Sequence, residues 1–159
     1  PPCWSPMKRL EVKLSLPVVA PLLDVIKELA DGLKQDLAAP QTLADIDADF
    51  REAWLGDLLT AQNGDVKTLL ALFDDEFFSD GVVAFDEANA EAIVRASAAI
   101  RLRLRERYLK GLGDDTLEGG DVELEQLEES VRKAFMCYLF LATVQELIIQ
   151  HLDSSILES

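Results

Sequence analysis

The chain has 159 residues, 49% of them apolar, enough for one folded domain with its own core. Fifteen Lys and Arg stand against 30 Asp and Glu, and the net charge of −15 argues against a non-specific nucleic-acid binder or a protein docked on anionic lipid. Two cysteines and one histidine exclude a disulfide scaffold, a four-thiolate zinc site and histidine-rich metal chemistry.

The first six residues, PPCWSP, hold three prolines and read as a disordered lead, Pro1–Pro6, ahead of a natural start at Met7. Met7-Lys8-Arg9 followed by Leu14 to Leu23 has the outline of an export signal. Glu11, Lys13, Pro17 and Pro21 break its apolar run, and the reading is a reduced cytoplasmic chain. Leu10, Val12, Leu14 and Leu16 alternate with polar residues, the period of a half-buried strand. Val82-Val83-Ala84-Phe85, after Asp80-Gly81, is the strand that can pair with it.

Helical spacing predicts the remaining elements. Val19, Leu22, Leu23, Ile26, Leu29, Leu33 and Leu37 form one stripe of a helix from about Val18 to Ala38, with Pro17 or Pro21 in its first turn. Thr42 to Gln62 reads as a second helix, capped by Thr42, with Asp45 and Asp47 at its start and a stripe of Leu43, Ile46, Phe50, Trp54 and Leu58. Asn63-Gly64 reads as its stop. A short helix, Asp65 to Phe73, capped by Asp65, then leads into an acidic loop, Asp74 to Gly81, where one of Phe77 and Phe78 should tuck into the core.

Asp86 is the expected cap of a long helix from Glu87 to about Leu109. Gly111, Gly113, Gly119 and Gly120, with Asp114, Asp115 and Glu118, mark a flexible loop. Asp121 should cap the last helix, Val122 to Leu152, which is apolar nearly all round from Ala134 onward. Its strongly apolar run, Ala134 to Val144, is eleven residues, short of the about twenty of a membrane span. The expected fold is mainly α: a single helical domain over residues 7–153, about five helices around an apolar C-terminal helix, with a small two-stranded ribbon. Residues 154–159 form a tail.

Two stretches carry a family pattern: Ile93-Val94-Arg95-Ala96-Ser97-Ala98-Ala99-Ile100-Arg101-Leu102-Arg103-Leu104 and Tyr138-Leu139-Phe140-Leu141-Ala142-Thr143-Val144-Gln145-Glu146-Leu147-Ile148. Asp49 to Leu59, with Trp54-Leu55, adds an earlier segment. Over roughly Phe50 to Leu152 the chain resembles DUF2017, a bacterial family of unknown function. The resemblance implies a helical fold and a link to Clp-type proteolysis. It supplies no catalytic residue.

Among the polar residues, Glu146 stands in a helix that otherwise reads as buried. A buried carboxylate needs a partner, and Arg101 is the first choice. The expectation is a buried Arg101–Glu146 pair that sets helix register. The alternative is a polar pocket lined by Arg101, Gln145 and Glu146, with Arg105 near it. Residues 91–110 carry a net +4, between −10 before and −9 after. Arg103, Arg105, Arg107 and Lys110 are expected to complement acidic neighbours and the negative end of their own helix.

No metal site is expected. Asp45-x-Asp47-x-Asp49 fails as a calcium loop, which would want Gly at position 50 and Glu at 56, where the chain has Phe50 and Gly56. Cys137 reads as an inert core thiol and His151 as a partner for a helix C-terminus. No cofactor motif, phosphate loop or catalytic spacing occurs. The leading reading is a small acidic, cytoplasmic, non-catalytic protein–protein interaction module. An enzyme or small-ligand binder at Arg101, Gln145 and Glu146 is the alternative, and an acidic nucleic-acid mimic the second.

Overall fold

A computed structural model describes residues 9–38, 48–113 and 126–151. The expectations for the proline-rich lead, the Thr42 and Asp121 caps, the Asp45-x-Asp47-x-Asp49 acids, the glycine loop beyond Gly113 and the tail lie outside the described residues or side chains. The elements, in order, are β1 (Arg9–Lys13), α1 (Leu16–Gly32), α2 (Ala48–Leu70), α3 (Asp75–Asp80), β2 (Val82–Asp86), α4 (Ala90–Arg107) and α5 (Glu129–His151). The fold is mainly α, with a small antiparallel ribbon.

The ribbon joins the two segments that alternation singled out. Val12 pairs with Val83 and Leu10 with Phe85. Val83 and Phe85 are buried, so β2 faces the helices and β1 covers it. Gly81 makes this junction. It ends α3 in the left-handed region at φ 75°, its N–H donates to the Phe77 carbonyl, and its own carbonyl accepts from Leu14 N–H at 2.7 Å. A Cβ there would stand 2.7 Å from the Leu14 carbonyl oxygen. Gly81→Ala is therefore expected to cost at least about 1 kcal/mol, read as a fall in the denaturation midpoint.

α1 buries the predicted stripe of Val19, Leu22, Leu23, Ile26 and Leu29, with Leu33 and Leu37 buried just past its end. Pro17 falls in its first turn, where a missing N–H is harmless, and Pro21 lies one turn further in. The helix stops at Gly32, short of the predicted Ala38. Side chains from other helices claim the backbone beyond it. Gln62 Nε2 donates to the Leu33 and Asp36 carbonyls at 2.8 and 3.0 Å, and Gln62 Oε1 accepts from Ala38 N–H at 3.0 Å. Arg103 Nη2 donates to the Leu37 carbonyl at 3.2 Å.

The same contacts overturn the expected break at Asn63-Gly64. α2 runs unbroken to Leu70, and the predicted short helix is its last part. Asn63 turns its amide outward to the Lys34 carbonyl instead of bonding its own backbone, so the stop signal has no local partner. Asp65 is accordingly not a cap. Its carboxylate pairs with Arg95.

The acidic stretch expected as a loop contains α3. Asp74 caps it by accepting from Phe77 N–H at 3.1 Å, and Asp75 and Glu76 suit the positive end of its dipole. α4 starts at Ala90 rather than Glu87, because Asp86 makes a turn first. Its carboxylate accepts from Ala88 and Asn89 N–H, and Asn89 Oδ1 accepts from Asp86 N–H in return.

α5 packs Phe135, Tyr138, Leu141, Val144 and Ile148 against α1 and α4. Thr143, Glu146, Ile149 and Gln150 form its outer face. The whole helix, unlike the eleven-residue run inside it, is long and apolar enough by length and composition to cross a membrane, a measure that core helices also meet.

Candidate functional site

α4 is the element that organises polar chemistry, because it lies between α2 and α5. On the α5 side, Arg101 and Gln145 meet as the sequence grouped them. Arg101 Nη1 donates to Gln145 Oε1 at 2.6 Å, and Gln145 Nε2 donates to the Val94 carbonyl at 3.0 Å. The guanidinium carbon lies 4.3 Å from the centre of the Tyr138 ring, a cation–π distance.

The expected Arg101–Glu146 pair is not formed. Glu146 is exposed and accepts from Gln150 Nε2 at 2.9 Å, one turn along its own helix. Helical phase explains the correction. Neighbouring residues point about 100° apart, so Gln145 joins Leu141 and Ile148 on the packed face while Glu146 joins Thr143 and Gln150 outside. Arg105 stands half-buried one turn along α4 from Arg101.

The Arg101–Gln145 contact is a neutral acceptor on a half-buried cation. The Ser97 hydroxyl and Arg101 Nε are buried without a hydrogen-bond partner among the described residues. This cluster can hold helix register and a positive charge. Among the described residues it pairs no nucleophile with an adjacent base.

On the α2 side, Asp65 holds Arg95 by two parallel bonds of 2.9 and 3.0 Å, and Glu91 adds a third contact at 3.0 Å. The hydrogen bond it donates to the Asp65 carboxylate holds the Arg95 guanidinium above the ordinary arginine range. Beyond this clamp the two helices, antiparallel because Asp65 meets Arg95 while Gln62 and Arg103 both reach the backbone at Leu37 and Ala38, leave a groove of about 380 Å³ lined mainly by apolar atoms. Leu37, Leu58, Ala61, Ala98 and Leu102 form its walls.

Phe50 and Trp54 continue that strip along α2, and they are 60% and 52% exposed, with Leu102 at 41%. The stripe of Phe50, Trp54 and Leu58 was legible in the sequence as one helix face. Its exposure was not, since periodicity says which residues share a face and not what covers it.

Two more basic residues of α4 meet acids, as their spacing suggested. Arg103 reaches Glu106 at 3.5 Å and Arg107 reaches Glu28 at 3.9 Å, while the Tyr108 hydroxyl donates to Glu28 at 3.2 Å. Cys137 is buried, and desolvation pushes its thiol up to about 12 from the usual value of 9.0, so it is no nucleophile at neutral pH. His151 is exposed in the last turn of α5. Among the described residues no three His, Cys, Asp or Glu side chains cluster as metal ligands.

These features define a helical domain with an apolar groove between α2 and α4. Comparison with protein families matches residues 19–152 to DUF2017, a domain of unknown function, and the chain belongs to that family. The match takes in α1 as well as the later helices on which the sequence resemblance rested. Neither the curated proteins nor the solved structures returned a match.

Proposed function

We propose that the chain is a non-catalytic, cytoplasmic protein–protein interaction module that docks a partner on its α2–α4 face. The observation that carries this reading is the exposure of Phe50, Trp54 and Leu102 beside an apolar groove. Contiguous exposed apolar residues on a small domain mark contact surfaces, and a half-exposed Trp is the residue type that anchors them. A groove between two antiparallel helices accepts the apolar ridge of a third. The occupant is an amphipathic helix of another protein with basic residues beside that ridge. Asp57 lies one turn from Trp54, and the chain's charge of −15 draws a basic partner at range while repelling a second copy of itself. The family resemblance points to a component of Clp-type proteolysis as the partner class to seek.

The alternative of a ligand pocket at Arg101, Gln145 and Glu146 has less support. Two of the three residues bond each other, and the third faces solvent.

Retention from lysate at moderate salt compares the wild-type chain with Trp54→Glu. Trp54 is half exposed, so the circular dichroism spectrum should be unchanged. The expected result is one partner retained by the wild type and lost by the variant. Equal retention by both chains would contradict the assignment of this face.

A further inference from the structure

The ribbon has an open edge that lies in a cleft of its own, away from the α2–α4 groove. Hydrogen-bond parity shows which edge it is. The Gly81 carbonyl accepts from Leu14 N–H, and Val83 and Phe85 face Val12 and Leu10 in register, so the odd residues of β2 turn their main-chain groups to β1. The even residues, Val82, Ala84 and Asp86, turn theirs away.

Asn89 occupies the far end of that outer edge. Its side-chain amide donates to the Ala84 carbonyl at 3.2 Å and accepts from Asp86 N–H at 2.9 Å. This is the pairing that a peptide group of a neighbouring strand would make, supplied by one side chain. It leaves Val82 N–H, Val82 C=O and Ala84 N–H on the outer edge, with no partner among the described residues.

Val82 and Ala84, which carry those three groups, line a cleft of about 470 Å³. Thr68 of α2 and Ala71 just past its end form one wall, and Asp74 and Glu76 at the start of α3 form another. The two edges of the ribbon differ in kind. The outward residues of β1 are Arg9, Glu11 and Lys13, all exposed, and charged side chains of this sort discourage strand addition. Val82 and Ala84 are uncharged and half-buried.

We propose that the outer edge of β2 is a strand-addition site, which binds an extended peptide segment of a partner protein as the third strand of the sheet. Asn89 sets where the added strand ends, because a strand running further would meet groups the amide already satisfies. The cleft supplies more carboxylates than cations, Asp74, Glu76 and Asp86 against Arg9 and Lys67, so the segment carries basic residues between small apolar ones. Main-chain bonds supply the affinity and the walls select the side chains. This site is independent of the α2–α4 groove.

The test uses the full chain and amide hydrogen exchange, with a hexapeptide alternating valine and lysine as the probe. In the free protein the Val82 and Ala84 amides should exchange fast and the Val83 and Phe85 amides slowly. Saturating peptide should slow Val82 and Ala84 by about tenfold, with no effect from a valine–glutamate peptide of the same length. Val82→Pro, at the first residue of the strand, removes one of the three groups and should abolish the protection. Glu76→Lys reverses a wall charge without touching the strand and should abolish it too, which keeps the test decisive if the proline disturbs the ribbon. Val82 and Ala84 amides that are slow in the free protein, or unmoved by the basic peptide, would overturn the proposal. Protection that rises with protein concentration alone would overturn it in favour of a second copy as the occupant.

Discussion

Phe77→Ala is expected to lower the unfolding free energy by about 3–5 kcal/mol, and Phe78→Ala by less than about 1 kcal/mol. The two residues are neighbours on one short helix, yet their surroundings differ completely. Phe77 is fully buried, with its ring edge-on to Phe73 at 5.2 Å. Phe73, at the end of the chain from α2, reaches Phe140 of α5 at 6.4 Å. Phe77 thus ties α3, and with it Gly81 and the start of β2, to the helical core. Removing its ring leaves a cavity that backbone hydrogen bonds of α3 and the ribbon keep from collapsing. Phe78 is 49% exposed and its ring contact is with Phe77 itself, at 5.2 Å. Urea midpoints for the two variants, at unchanged slope, give the comparison directly.

The second large effect falls on Gln145 rather than on the carboxylate beside it. Gln145→Ala is expected to cost about 2 kcal/mol, because it leaves a half-buried guanidinium N–H without its partner and removes a second bond to the Val94 carbonyl, which also serves its own helix. Glu146→Ala should change stability by less than about 0.5 kcal/mol, since its one bond is to exposed Gln150. Replacing both members, Arg101→Met with Gln145→Leu, should recover most of the loss, as no polar group is then stranded. A double-mutant cycle measures the coupling. A large loss in Glu146→Ala would show that the carboxylate does meet Arg101.

The contrast between these two neighbours shows how legible the site was. Its two real members, Arg101 and Gln145, were named from sequence, and so was the helix pair that carries them. Charge drew attention to Glu146, because a carboxylate in an apolar helix demands an explanation. Helical phase already held the answer: Gln145 falls on the stripe of Leu141 and Ile148, and Glu146 does not. The stripe of α1 and the pairing of two strands some seventy residues apart were readable for the same kind of reason, since period alone set which side faces inward.

Where local signals failed, a distant group had claimed the local one. Asn63-Gly64 carries the composition of a helix stop, but the Asn63 amide serves the end of α1 and α2 continues. Gln62 and Arg103 likewise end α1 early by bonding the backbone after it. The groove itself was the least legible feature. Phe50, Trp54 and Leu58 formed a stripe of the kind that usually lines a core, and only the placement of α4 shows that part of it faces outward.

On the proposed function, this outward face meets a protein partner. Photo-crosslinking in cells tests it most directly, with p-benzoylphenylalanine placed at Leu102 in the groove and, separately, at Glu146 on the far face of α5. A light-dependent adduct with one protein is expected from position 102 and none from position 146. An adduct from position 146 with none from position 102 would contradict the proposed function.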